Sequence, residues 1–279
     1  LTFVTRFAPS PTGYLHRGHA YSALTAFEAA RVTGGRFLLR IEDIDATRCR
    51  PEYEAAILED LAWLGLNWEA PVRRQSEHLA DYEAAIAGLR DRGLVYRCFK
   101  TRKEIDIGRA PHEPAIAYVG APLGADEEAQ RLARGEPFAW RLSLAAAREA
   151  LGGFDHLSFL EEGADGSSPR TVQALPETAG DIVLARKDVG VAYHLAVVHD
   201  DALQGVTHVI RGEDLFEATH IQRLLQALLG LPTPIYRHHG LLTGPDGKRY
   251  AKRDKAQTLR ELRASGVSAQ DLRAELGFS

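Results

Sequence analysis

The chain has 279 residues, enough for one large domain or two modest ones and for a core that needs no staples. Its 45% hydrophobic and 26% charged residues exclude a disordered chain, and no run approaches the roughly 20 apolar residues that span a bilayer. A net charge of −4 argues against a non-specific coat on nucleic acid while permitting a local basic site. In chain order, methionine is absent even at position 1, so Leu1 is not expected to be the natural start. The first residues are too polar for a secretory signal. Residues 3–8 read as a strand, which Pro9, Pro11 and Gly13 break. A helical pattern follows over 18–32, with Ala20, Leu24, Phe27 and Ala30 at apolar spacing. Gly34 and Gly35 stop it, and 36–41 read as a buried strand, which completes a parallel βαβ unit. Helices over 52–64 and 77–92 and a strand over 94–98 come next. Residues 101–134, with Pro111, Pro114 and Pro122, read as an irregular insertion, and 138–144 as a strand. Strands are expected at 182–186 and 192–198, a helix at 216–229, and two short tail helices at 258–264 and 269–276.

The densest chemical signal lies between the first strand and the first helix. His16, Gly18 and His19 stand at a helix entrance, where outward-pointing N–H groups favour phosphate. Two imidazoles there can donate to a pentavalent phosphorus, and Gly18 leaves room for a base or ribose against the backbone. Over 200 residues later, Lys248-Arg249-Tyr250-Ala251-Lys252-Arg253-Asp254-Lys255 follows a turn-rich Gly-Pro-Asp-Gly loop. Read by itself it is either a solvated basic loop or a cationic flap over a triphosphate.

Together these two elements resemble the HIGH and KMSKS motifs of class I aminoacyl-tRNA synthetases. The glutamyl branch is indicated by Arg6-Phe7-Ala8-Pro9-Ser10-Pro11-Thr12-Gly13, Arg40-Ile41-Glu42-Asp43-Ile44-Asp45, Tyr193 to Asp201 and Thr207 to Asp214, in order and over most of the chain. The resemblance implies a Rossmann-like, doubly wound parallel sheet of the α/β class, with a small insertion and a short helical tail. The expected division is 1–100 and 181–255 for the two halves of the catalytic core, 101–180 for the insertion or connecting region and 256–279 for the tail. Arg6, Phe7, Ala8, Pro9, Ser10, Glu42, Tyr193 and Arg211 would form a glutamate pocket. His16, Gly18, His19, Arg249 and Lys252 would bind ATP, with His16, His19 and Lys252 acting in catalysis. The residue types suit a dicarboxylic amino acid. Arg6 and Arg211 can each fork onto a carboxylate, Glu42 can hold the ammonium, and Tyr193 can donate its phenolic proton. Which arginine takes which carboxylate stays open. Arg249 and Ala251 depart from the family's lysine and hydroxyl, while Lys252 keeps the cation.

Only 24 residues follow Lys255, where a discriminating glutamyl-tRNA synthetase continues into an anticodon-binding region. The chain thus resembles the glutamyl-queuosine tRNA(Asp) synthetases, which lack that domain. The resemblance implies activation of L-glutamate by ATP and Mg²⁺ without tRNA, then esterification of queuosine at the wobble position of tRNA(Asp). A catalytic fragment charging tRNA(Glu) and a non-catalytic glutamate- or RNA-binding paralogue are the alternatives. A zinc set common in that subfamily is incomplete: Cys98 and Tyr118 are retained, but Lys100 stands at the second cysteine position. His112 is the only nearby imidazole, and no zinc is expected. Cys49 and Cys98, the two cysteines, offer no disulfide framework, and a reducing cytoplasm is expected. RNA contacts would come from Arg97, Lys100, Arg102, Lys103 and Arg109 and from the stretch 248–263, salt-sensitive and local. No membrane association and a monomeric state are expected.

Overall fold

The computed structural model describes residues 2–105, 117–186, 190–242 and 257–278, without the side chains of residues 102 and 103. In chain order the elements are β1 (Val4–Phe7), α1 (Arg17–Thr33), β2 (Arg36–Ile41), α2 (Pro51–Trp63), β3 (Glu69–Arg74), α3 (Leu79–Asp91), β4 (Val95–Cys98) and α4 (Arg102–Ile105). They continue with α5 (Ala125–Ala133), β5 (Ala139–Leu142), α6 (Leu144–Leu151), β6 (Ser158–Glu162), β7 (Arg170–Gln173) and β8 (Val183–Ala185). The last are α7 (Tyr193–Leu203), β9 (His208–Gly212), α8 (Phe216–Leu229), β10 (Ile235–His239), α9 (Leu259–Ala264) and α10 (Ala269–Glu275).

The core is parallel and built in two halves. β2 lies between β1 and β3, and β10 lies between β9 and β6, with every one of these four pairings parallel. The halves meet where the Val4 N–H donates to Thr207 Oγ1 at 2.8 Å and the Thr207 N–H donates to the Val4 carbonyl at 2.9 Å. Chain order therefore reverses between β1 and β9, the place where doubly wound sheets open a crevice at their carboxyl ends. Strand alternation sends Phe37, Leu39 and Ile41 into one buried cluster and Leu38 into another. The first cluster holds α1, α2 and the tail residues Leu259, Leu262, Leu272 and Leu276. The second holds α3, α7 and α8, with Tyr82, Leu195 and Leu224 fully or almost fully buried. This is the α/β, Rossmann-like arrangement the sequence implied. Antiparallel pieces flank it: β5 pairs with β4 and β8, and β7 pairs with β6.

Several local expectations are corrected. Residues 192–198 are not a strand but the first turns of α7. Leu195, Ala196, Val197 and Val198 are all buried, so a helix enclosed on all sides presents the same continuous apolar run as a buried strand. β3, β6, β7, β9 and β10 lay outside the predicted elements; β3 carries Pro71 and is only partly buried, which masks its strand character. The insertion contains the nine-residue helix α5, where an irregular path was expected. Its apolar face is thin and none of its residues is buried.

Candidate active site

A cavity of about 440 Å³ opens at the carboxyl ends of β1, β2, β9 and β10. Arg6, Phe7 and Ala8 enter it from β1, Glu42 from the end of β2, Tyr193 from the first turn of α7 and Arg211 from β9. His16, Gly18 and His19 line the same space at the start of α1. Pro9 and Ser10 do not reach its wall. The Pro9 carbonyl accepts the Glu42 N–H at 3.0 Å. Ser10 lines a neighbouring cavity of about 170 Å³, whose walls include the same Glu42 and Tyr193.

The helix entrance is held by its own imidazoles. His16 Nδ1 accepts the Gly18 N–H at 3.1 Å, and His19 Nδ1 accepts the His16 N–H at 3.2 Å. This is a capping box made from two histidines. With Nδ1 accepting in both, the ring proton of each neutral imidazole sits on Nε2. The rings lie 3.8 Å apart. A Cβ on Gly18 would meet His16 Cε1 at 3.0 Å and Nδ1 at 3.2 Å. The small residue thus makes room for the His16 ring, a different reason from the nucleotide clearance read from the sequence. The tail closes against this loop, since the Leu259 N–H donates to the Leu15 carbonyl at 2.8 Å.

Behind Arg6 and Glu42 lies a lattice of buried charge. Arg6 Nε and Nη2 donate to the two Asp201 oxygens at 3.0 and 3.3 Å. Arg40, entirely buried, donates from Nη1 to Asp201 at 2.8 Å and from Nη2 to Glu42 at 3.1 Å. Burial pushes the Glu42 carboxyl upward against the pull of Arg40 and Arg6. Burial would also raise Asp201, but Arg6 and Arg40 reverse that and hold it below the usual range. Asp200, buried next door, accepts from Arg73 Nε, Gln75 Nε2 and Tyr82 Oη at 2.8, 2.9 and 2.8 Å. Burial opposes its ionisation, yet the neighbouring His199 imidazole, the charge of Arg40 and the hydrogen bonds from Gln75 and Tyr82 bring it down to about 2. Desolvation raises the Tyr193 phenol above its ordinary value, so it remains a donor across the neutral range.

Arg211 is oriented by different groups. Its Nε donates to His238 at 3.1 Å, and its Nη2 donates to Thr219 Oγ1 at 2.8 Å and to the Leu215 carbonyl at 3.1 Å. Its Nη1 is buried and has no hydrogen-bond partner among the described residues. A guanidinium with one buried nitrogen unmatched on a cavity wall is suited to an anionic ligand oxygen. The site therefore offers two arginines and one carboxylate to a small charged ligand. The helix entrance and the segment 239–242 offer imidazole, backbone and apolar surface to a larger one.

Sequence reading did not single out Tyr21, Ser22, Asp214 and His239, which also line the cavity. Ser22 Oγ and His239 Nε2 are 2.8 Å apart. Spacing of three and four residues after Gly18 places Tyr21 and Ser22 near the helix entrance, a signal that was available. Arg249 and Lys252, with the rest of 248–255, lie outside the described residues, as do Arg109 and His112; so do the side chains of Arg102 and Lys103. Cys98 Sγ lies 3.9 Å from the Tyr118 hydroxyl. Lys100 Nζ and the Arg141 guanidinium stand over the Tyr118 ring at 5.7 and 4.6 Å. One thiol beside two cations does not fit a divalent zinc, which needs four N, S or O donors.

The catalytic-domain model of class I tRNA synthetases (E and Q) matches residues 2–276. A glutamyl-Q tRNA(Asp) synthetase of Rhodobacter capsulatus is 48% identical over 99% of this chain and 100% of its own. One from Nocardia farcinica is 44% identical over 97% of this chain and 82% of its own. Among solved structures, a glutamate-tRNA synthetase from Elizabethkingia anophelis superposes with a TM-score of 0.73 at 30% identity, covering 91% of this chain and 53% of that one. The chain belongs to the class I glutamyl and glutaminyl tRNA synthetase family, on the branch of the glutamyl-Q tRNA(Asp) synthetases.

Proposed function

We propose that this enzyme activates L-glutamate with ATP and transfers the glutamyl group to queuosine at the wobble position of tRNA(Asp). The observation that carries the reading is the single cavity in which buried Arg6 and Arg211 face Glu42 and Tyr193 beside the two helix-capping imidazoles. Two arginines and one carboxylate match the charges of glutamate, two carboxylates and one ammonium. Pro9 and Ser10 shape the pocket from behind, Pro9 by its carbonyl contact with Glu42.

In the first step an α-carboxylate oxygen attacks the α-phosphorus of ATP in line, and pyrophosphate leaves with its Mg²⁺, both delivered as the substrate complex. His16 and His19 donate to the charge developing on phosphate oxygens, and the backbone beside Gly18 receives the nucleotide. Lys252 and Arg249 add cations at the pyrophosphate. In the second step a hydroxyl of the cyclopentenediol attacks the mixed anhydride carbonyl, AMP departs, and the hydroxyl proton leaves to solvent. No covalent enzyme intermediate is required.

The reading takes no zinc. Residues 1–100 and 181–255 serve as the halves of the catalytic core, 101–180 as the insertion and 256–279 as the tail. The compartment is the cytoplasm, in keeping with two free cysteines, and the enzyme acts as a monomer. No described helix is long and apolar enough to cross a membrane. The test is ATP–pyrophosphate exchange with purified protein and Mg²⁺. Exchange that requires glutamate and proceeds without tRNA is expected. Exchange that appears only when tRNA(Glu) is added would assign the chain to tRNA(Glu) charging, and none under any condition would leave a binding protein.

A further inference from the structure

Three neighbouring strands bring one more set of polar groups together behind the cavity. In the β9–β10 register His238 pairs with Arg211, and in the β10–β6 register Tyr236 pairs with Glu161. Arg211, His238 and Glu161 thus follow one another across the sheet, and all three are buried. His238 and Glu161 do not line the cavity.

The hydrogen bonds along this row favour one direction. Glu161 accepts the His238 backbone N–H at 3.0 Å, and its two oxygens lie 3.1 and 3.0 Å from His238 Nδ1. An ionised carboxylate only accepts, so Nδ1 carries the ring proton. Nε2 then presents a lone pair, and Arg211 Nε donates to it at 3.1 Å. The opposite tautomer, or the imidazolium, would set the Nε2–H of His238 against the Nε–H of Arg211, with only Thr219 Oγ1, 3.3 Å from Nε2 and already accepting from Arg211 Nη2, to take it. Glu161 therefore chooses the tautomer, and the tautomer holds the guanidinium at its Nε edge. The other edge is fixed by Thr219 and Leu215, which leaves Nη1 as the nitrogen without a partner among the described residues.

We infer that His238 and Glu161 are positioning residues of the amino-acid site, acting through Arg211 to aim its Nη1 at a substrate carboxylate. The inference rests on the reading that this pocket holds glutamate. Neither residue touches substrate, so their loss should weaken glutamate capture and leave nucleotide capture alone. His238→Leu removes the acceptor and should raise the KM for glutamate about tenfold or more, with KM for ATP and kcat within about twofold. His238→Gln, whose amide oxygen can accept from Arg211 Nε, should recover most of that loss. Glu161→Gln removes the fixed preference for one tautomer and should give an intermediate increase. Side-chain ¹⁵N spectra of the wild-type enzyme provide a readout independent of variant folding, and should show His238 protonated on Nδ1.

Glutamate-independent behaviour of the wild-type enzyme in pyrophosphate exchange would overturn the functional reading itself. With wild-type exchange intact, an unchanged glutamate KM in His238→Leu would overturn the inference. Equal losses for ATP and glutamate would overturn it too, as would a wild-type proton on Nε2.

Discussion

Arg6, Arg40, Glu42 and Asp201 hold two positive and two negative charges in one buried unit, and removing any one leaves a partner uncompensated. Glu42→Gln should therefore act twice. It should raise the KM for glutamate by more than tenfold in pyrophosphate exchange, because the ammonium loses its counter-charge. It should also lower unfolding stability by about 2–4 kcal/mol in denaturant titration, since Arg40 is left with excess buried charge. Gly18→Ala tests the helix entrance. The added methyl crowds the His16 ring, and kcat should fall about tenfold with the glutamate KM unchanged. That Arg6, His16, His19, Glu42, Tyr193 and Arg211 belong together was legible in the sequence, because the chemistry read there restricts residue types to arginine, carboxylate, phenol and imidazole. Arg40, Asp200 and Asp201 were legible only as neighbours in motifs. Their work depends on contacts such as the one Arg40 makes across 161 positions, which no local pattern encodes.

At the scale of elements, α2 meets the tail helix α9 across an ill-matched carboxylate. Asp60 is fully buried, neither of its oxygens has a hydrogen-bond partner among the described residues, and Arg263 approaches only to 3.7 Å. Burial pushes its pKa up to about 6, against the opposing pull of Arg263. A raised carboxyl pKa means the folded state binds the proton more tightly. Asp60 thus costs stability above about pH 6, and the cost disappears as pH falls toward the unfolded value near 4. Asp60→Asn should stabilise the protein by about 1–3 kcal/mol at pH 7.5, and by much less at pH 4. His194 acts in the opposite sense: burial, with Arg211 nearby, presses its pKa down to about 4. The unfolded chain binds that proton more readily between about pH 6.5 and 4, so wild-type stability should decline on acidification through this window. The His194 part, about 2 kcal/mol, should be missing in His194→Gln. Denaturant titrations at several pH values separate the two. The helices bounded by histidine caps, prolines and glycines were legible, α1 and α8 among them. α7 was not, because burial on all sides erases the helical period from its first turns. β9 and β10 were not either, since Arg211, His238 and His239 interrupt the apolar run that marks an inner strand.

For the whole molecule, the sheet crevice holds the candidate site, and the family membership makes the chain a class I tRNA synthetase. Both were reachable from ordered motifs spread between Arg6 and Lys255. The order of strands was not, because the two parallel halves adjoin through Val4 and Thr207, some 200 residues apart. The acceptor is what most sharply distinguishes the proposed reaction. The decisive measurement is transfer of labelled glutamate from the purified enzyme, with ATP and Mg²⁺, to tRNA(Asp) with queuosine, tRNA(Asp) without it, and tRNA(Glu). Label on the queuosine-containing species alone is expected, whereas label on the acceptor end of tRNA(Glu) would contradict the proposed reaction.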